Sequence, residues 1–361
     1  MRVTHEEKTI MPSSIFKYKT LFAFAESVFT SLGVSRLNSK KCAAQTLDAE
    51  LRGVTSHGFV RLNSFVERLK KKTANPKPKI KSITNLPSYS LLDGDNGLSA
   101  IVGERTMNTA INKAKSAGFG AAAVRNSLHT GHIGYFAAMA LKKNMIGIVI
   151  SGSVGNLAPW GGSERMIGNN PIAFAIPSNQ KFPIIFDIAT SKVARGYVML
   201  AAKTGEEIPK GWALDKSGKS TTNPIEALKG TMVPLGDHKG YGLALMFSFI
   251  TATLSGNTFD GDQPDWLDTD KVCSLPMLCI AIDPRQCLGK EYKSKVDTIV
   301  EKIKHSNLAP GYEQILIPGE NSNRKYEKNL KTGLRLNTKL VQEMNDLAKE
   351  LGIKKLNGNN S

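Results

Sequence analysis

Cysteine is scarce in this chain: four residues, Cys42, Cys273, Cys279 and Cys287, among 361, with no C-x-x-C pair. So few thiols cannot staple a chain of this size and offer no thiolate metal framework, so a reducing cytoplasm is the expected setting. Acidic residues are also short, 31 Asp and Glu against 48 Lys and Arg, for a formal net charge of +17. The excess is mostly scattered lysine. Its dense run, LKKKTANPKPKIK at 69–81, lacks interleaved aromatics and any nucleic-acid motif. No nucleic-acid partner is therefore expected, and the basic surface should instead attract small anions. Long apolar runs are missing too. The most apolar stretch, YGLALMFSFITATLSG at 241–256, is too short and too rich in Ser and Thr to span a bilayer. It reads as a buried core helix, and no membrane association is expected. The opening MRVTHEEKTIMPSS has no apolar core of a secretory signal. There is no Walker A motif, internal repeat or low-complexity linker. A literal G-x-G-x-x-A, GFGAAA at 118–123, stands after a helix and before a strand, the reverse of a Rossmann phosphate turn. Gly118 reads as a helix C-cap instead.

What remains is a composition of 41% apolar and 22% charged residues, which suits a well-cored globular chain. Apolar residues at helical spacing (Tyr18, Leu21, Phe22, Ala25, Phe29, Leu32) predict a helix over 14–32, with Gly33 as its C-cap. A second helix is expected over 39–54, and a third begins near Ser56. After the Pro/Lys loop, strands are predicted at YSLLDGDNG, GAAAVRN, MIGIVISG, IAFAIPS, PIIFDIA and PMLCIAID. Helices are predicted over 98–116, 133–143, 191–203, 240–255, 290–305 and 336–351. The mixed order of elements argues for an α/β fold that is not a plain doubly wound sheet.

Several stretches could carry chemistry. In TSHGFVR (55–61), Ser56 is a good N-cap, which puts His57 in the first turn of a helix and Arg61 on the same face. A helix N-terminus favours an anion and a neutral imidazole, and Arg can hold a carboxylate through two hydrogen bonds. Neutral His beside a carboxylate clamp suits oxidation of a 2-hydroxy acid; the same residues also describe a plain capped surface turn. In RNSLHTGHIGYF (125–136), His129 and His132 lack a nearby Asp, Glu or Cys as third ligand, which weighs against metal. The pair is either idle on a turn or contributes one ring to a site. LAPWGG (157–162) is a rigid turn able to bring backbone close to a flat ligand. Asp187 in FDIATSKVARG ends a strand. Lys239 in GDHKGYG opens a helix, a fair phosphate site. IPGEN (317–321) is a turn with a carboxylate suited to ribose hydroxyls.

Taken in order, SHGFVR, NSLHTGHIGYF, APWGG…IGNNPIAFAIP, FDIATSKVARG, GWALDKSG, PLGDHKGYGLALM and IPGE resemble the non-Rossmann malate/L-lactate dehydrogenase family. That family also holds ureidoglycolate, sulfolactate and diketogulonate oxidoreductases, and the likeness covers roughly residues 15–354. The resemblance implies an α/β fold in which a largely antiparallel or mixed sheet binds NAD, or NADP, beside a helical domain built from both chain ends. The corresponding division is 1–85 and 326–361 for the helical parts and 86–325 for the cofactor domain. It also implies a homodimer acting on a small carboxylate substrate. Carried over by position, His57, His129, Arg61 and Ser56 become catalytic candidates. Ser153, Asp187, Ile188, Ala189, Lys239, Gly319 and Glu320 become cofactor contacts, and no metal is expected. Three departures stand out: Thr130 and His132 follow the motif histidine, Phe65 replaces a common Tyr, and Asp237 replaces a common Gly. They place the substrate, not the cofactor, in question. The rival readings are a reductase of a diketo-sugar acid or cyclic imine on the same scaffold, a basic binding protein that keeps the fold without catalysis, and a metal hydrolase using HTGH.

Overall fold

A computed structural model describes residues 13–357 and 359–360, so residues 1–12 of the opening segment lie outside the described residues. The chain starts with β1 (Ser13–Phe16), then α1 (Tyr18–Ser31), α2 (Arg36–Leu51) and α3 (Leu62–Lys70). In α1 the buried Leu21, Phe24, Ala25, Val28 and Phe29 follow the helical repeat. The helix is shorter than the sequence suggested because residues 13–16 pair instead with β14 (Leu334–Asn337). Ser35 caps α2, its hydroxyl accepting from Asn38 N–H. The two chain ends share one core: Leu334, Leu336, Leu340, Met344 and Leu347, from β14 and α12 (Thr338–Leu351), are buried with the apolar faces of α1 and α2. A two-residue β15 (Asn359–Asn360) completes that three-stranded sheet.

The middle of the chain builds the larger sheet. Between β1 and β14 come β2 (Lys81–Asn85), β3 (Tyr89–Gly97), α4 (Ser99–Ala117), β4 (Phe119–Ser127), α5 (Gly134–Leu141), β5 (Ile146–Ser151), β6 (Gly155–Leu157), β7 (Ile167–Gly168), β8 (Ile172–Ile176) and β9 (Ile184–Ile188). They are followed by α6 (Arg195–Thr204), β10 (Ala213–Leu214), β11 (Ser220–Thr221), α7 (Pro224–Lys229), β12 (Thr231–Met232), α8 (His238–Ser255), β13 (Leu275–Ile282), α9 (Arg285–Leu288), α10 (Tyr292–Lys304) and α11 (Glu320–Thr332). Seven strands pair in the order β2-β3-β4-β13-β5-β8-β9, and five short ones form β11-β10-β12-β6-β7. In the seven-stranded sheet β3 and β4 run parallel while the other neighbours are antiparallel, so the sheet is mixed and largely antiparallel, as expected.

Small residues let helices lie close on this sheet. A Cβ on Gly120 would stand 2.2 Å from the Ala110 carbonyl of α4, and one on Gly147 would stand 2.2 Å from the Ala137 carbonyl of α5. Gly118 ends α4 in the left-handed conformation at φ +75°, the C-cap foreseen for GFGAAA. On the opposite face, α8 buries Phe247 against Ala121, Ala123, Ile150 and Leu278.

Two local expectations fail. The apolar helix α8 is not buried: Leu243, Met246 and Phe249 are 48%, 47% and 53% exposed, because only the Ala244–Phe247–Thr251 side meets the sheet. The SHGFVR segment does not open an α-helix at Ser56. Two single 3₁₀ turns, Thr55–His57 and Phe59–Arg61, flank Gly58, and α3 starts only at Leu62. Among the described residues no helix is long and apolar enough to cross a membrane.

Candidate active site

Pairing directions explain where the site forms. β4 and β5 both run antiparallel to β13, and β9 runs antiparallel to β8, itself antiparallel to β5. The C-terminal ends of β4, β5 and β9 therefore leave the sheet on one edge. They deliver His129, Ser153 and Asp187-Ile188-Ala189 to the same side, where the SHGFVR turn closes over them. Ser56, His57, His129, Ser153, Asp187, Ile188 and Ala189 all line one cavity of about 280 Å³. Gly319 lines an adjoining cavity of about 430 Å³, and His132 and Asp187 belong to both walls. The two volumes lie near the ~300–1,000 Å³ span usual for small-molecule sites.

The SHG turn is held by a buried carboxylate. Glu50 accepts the Phe59 N–H at 2.7 Å, and a Cβ at Gly58 would sit 2.0 Å from its Oε1. Only glycine fits there, so α2 dictates the path of the turn. Burial raises the Glu50 pKa to about 7 despite that hydrogen bond. Ser56 is not a helix cap; its Oγ lies 2.9 Å from His57 Nδ1, while its carbonyl accepts from Arg61 Nε at 2.9 Å. Arg61 makes no ion pair among the described residues. Burial, then the charge of Arg195, lowers its pKa, yet a guanidinium stays protonated at neutral pH. It is an unneutralised cation held behind Ser56 and His57, and it lines neither cavity itself.

The two motif histidines meet. The rings of His57 and His129 are 5.7 Å apart, though 71 residues separate them in the chain. Burial depresses the His57 pKa to about 3, with Arg61 and His132 adding to the effect. Burial, then Arg61 and His57, likewise holds His129 well below the ordinary imidazole range. Both rings are neutral at pH 7, as the sequence argument required, but burial and a neighbouring cation do this rather than a helix dipole. Their hydrogen bonds constrain the two tautomers differently. His129 Nδ1 accepts the Gly131 N–H at 3.1 Å, so the neutral ring carries its proton on Nε2. His57 Nδ1 faces a hydroxyl that can donate or accept, leaving Nε2 free to present a lone pair.

Further residues, most of them announced by no motif, pack around the motif histidines. Trp266 packs on His129 with centroids 4.9 Å apart and on Phe65 at 5.5 Å. Arg68 lies 4.4 Å over the Trp266 ring and donates to the carbonyls of Trp266, Asp268 and Lys271. Phe65 thus serves packing where a tyrosine hydroxyl might have been expected. Thr130 Oγ1 is buried 2.9 Å from Ser151 Oγ, and its carbonyl accepts from Gln45 Nε2 at 2.7 Å. A rare tryptophan was the only sequence signal for Trp266, and nothing local marked Gln45 or Glu50.

Two further sequence candidates stand apart from the cavity. Glu320 is buried, and its carboxylate is taken up by Lys304, Arg324 and the Ile317 N–H instead of facing open space. Lys239 is exposed in the first turn of α8 and lines neither cavity. The hydrogen bonds Lys192 N–Val233 O and Leu235 N–Thr190 O nevertheless bring the start of that helix beside the 187–189 strand end. Asp237, preceding it, has φ +59° and ψ −122°, a glycine-type conformation. Among the described residues no group of three or more His, Cys, Asp or Glu is placed to hold a metal.

The cavities fit a nicotinamide dinucleotide on their own features. Ile185, Phe186, Leu316, Ile317 and Pro318 give apolar walls for a base, and the 187–189 backbone and Ser153 give polar ones. Arg52 lines the second cavity with a buried Nη1 that has no hydrogen-bond partner, a donor available to an anionic group.

Comparison with known proteins agrees. The family model for malate/L-lactate dehydrogenase matches residues 16–345. The L-sulfolactate dehydrogenase of Methanocaldococcus jannaschii is 39% identical over 327 residues, covering 90% of this chain and 94% of that protein. The malate dehydrogenase of Pyrococcus horikoshii is 39% identical over 345 residues, covering 93% and 95%. The crystal structure of malate dehydrogenase from Entamoeba histolytica superposes with a TM-score of 0.90 at 30% identity, covering 95% of this chain and 99% of that one. More distant matches include enzymes named for NAD(+), from Escherichia coli, and for NADP(+), from Chromohalobacter salexigens.

Proposed function

The chain belongs to the malate/L-lactate dehydrogenase family, and on that premise we propose that it interconverts a small 2-hydroxy acid and its 2-oxo acid with NAD or NADP. The observation that carries this reading is the unpaired Arg61 cation beside two neutral imidazoles, next to a cavity lined by Ser153 and residues 187–189.

The nicotinamide, when bound, supplies the hydride acceptor or donor. The protein's own groups handle the carboxylate and the proton. Arg61 takes the substrate carboxylate through its free guanidinium nitrogens. His57 Nε2, with a lone pair available, accepts the hydroxyl proton during oxidation and returns it during reduction. A base with a pKa of about 3 is weak, and Arg61 is one cause of that value. Binding of the carboxylate cancels the Arg61 charge, which raises the His57 pKa once substrate is in place. His129, locked as the Nε2–H tautomer, donates to the same substrate oxygen and polarises it. Ser56 sets the orientation of the His57 ring, and Trp266 walls off the far side of His129 from water.

Ser153, residues 187–189 and Gly319 hold the cofactor in this reading, with Lys239 contributing charge from the start of α8. The exposed apolar face of α8 is assigned to a second copy of the chain, giving a homodimer. The few, unpaired cysteines support a cytoplasmic location in this reading. A panel of oxaloacetate, pyruvate, sulfopyruvate and diketogulonate with NADH and NADPH tests the activity. Oxidation of one cofactor with at least one 2-oxo acid is expected. Failure of both cofactors to bind at about 1 mM, the upper end of usual KM values, overturns the proposal.

A further inference from the structure

His132 lies where the family pattern asks for no histidine, yet it is buried at 7% exposure between two carboxylates. Its Nδ1 is 3.4 Å from Asp48 Oδ2, and its Nε2 is 3.2 Å from Asp187 Oδ2. Asp48 belongs to α2 in the helical part of the chain, whereas Asp187 ends β9 on the cofactor cavity. Asp48 Oδ2 also receives Arg52 Nε at 2.9 Å, and Asp187 Oδ2 receives the Gly134 N–H at 2.7 Å. The packing is tight: a Cβ at Gly134 would stand 2.9 Å from His132 Nε2 and 3.1 Å from Asp187 Oδ2.

A neutral imidazole has one N–H and one lone pair. Either tautomer would set a lone pair against one of these carboxylates in a buried place, where the repulsion is costly. Burial raises the Asp187 pKa, and a proton held there gives the ring Nε2 a donor while Nδ1–H faces Asp48. We propose that His132 is a positioning residue for the cofactor: its ring bridges Asp48 to Asp187 and fixes the end of β9 for nicotinamide binding.

Arg52 offsets the Asp48 charge. The other ionisable group bearing on His132 is His57 from the SHG turn, which stays neutral, while Tyr18, Tyr135 and Tyr326 respond to Asp48. Removing the ring breaks the bridge, and NADH affinity should then weaken. The inference rests on the cofactor reading above and adds to it a positioning residue.

The test is the Kd of NADH, read from nucleotide fluorescence, in the wild-type protein, His132→Gln, Asp48→Asn and the double variant. His132→Gln should raise Kd about fivefold to tenfold, roughly the net worth of one polar contact. Asp48→Asn, nearly isosteric and less of a threat to folding, should also raise Kd, and the double variant should bind no more weakly than His132→Gln alone, because both substitutions break one bridge. A merely structural His132 would lower the melting temperature and leave Kd unchanged. An unchanged Kd in His132→Gln, or effects of the two substitutions that add, overturns the proposal and leaves the cofactor reading intact. A wild-type protein that binds neither NADH nor NADPH overturns both.

Discussion

At the scale of single residues, the site works by removing water and charge from imidazoles. His57 and His129 are both driven neutral, but only His57 is free to present an Nε2 lone pair, since the Gly131 N–H puts the ring proton of His129 on Nε2. His57→Ala should therefore lower kcat by about 10²–10⁴-fold, the range for a lost acid/base group, with NADH affinity unchanged. His129→Ala should cost less, about 10²-fold, as loss of one polarising donor. Steady-state kinetics and NADH titration of the two variants check this ranking. The kcat/KM of hydroxy-acid oxidation should show no acidic limb near the ordinary histidine value, because free His57 protonates only at about 3. Glu50 carries the opposite sign. Its pKa is raised to about 7, so in the unfolded chain it ionises first, and stability is lost as pH climbs from about 4.5 through 7. Glu50→Gln should raise the melting temperature by roughly 2 °C or more at pH 8 and change it little at pH 5, as calorimetry at both values would show.

At the scale of elements, regular periodicity predicted well and turns did not. α4, β4, β8, β9 and α12 stand within a few residues of their expected positions, since each has a repeat that burial can satisfy in one way. The SHGFVR segment was misjudged because Ser56 has an N-cap's chemistry while Glu50, from another helix, claims the backbone of the turn. No local pattern encodes a carboxylate eight residues away that excludes a Cβ at Gly58. The turn before α8 shows the converse. Asp237 holds φ +59° and ψ −122°, a conformation that costs a non-glycine residue about 1–3 kcal/mol. Asp237→Gly should stabilise the fold by about 1 kcal/mol, offset in part by the greater unfolded-state entropy of glycine, and denaturant unfolding would measure it.

At the scale of the whole molecule, one face remains to be covered. Leu243, Met246, Phe249, Ile250 and Leu254 are exposed together on the outer side of α8, the kind of apolar patch that marks an interaction surface. Phe249→Asp, placed away from the cavity, should convert a dimer into monomers in sedimentation velocity, whereas a wild-type monomer would leave the stripe unexplained. The sequence by itself determined the class of fold, the family and most of the site's members, because periodic burial and ordered motifs are properties of neighbouring residues. Arg61 and the two motif histidines were legible in this way. Their meeting was decided by tertiary structure alone: β4, β5 and β9 leave the sheet on one edge, and α2 carries Glu50 and Asp48 against it. The same packing left one side of α8 bare, turned Glu320 toward Lys304 and Arg324, and set His132 between two acids. Those outcomes depend on which distant carboxylate or apolar face arrives, and spacing along a chain carries no record of that.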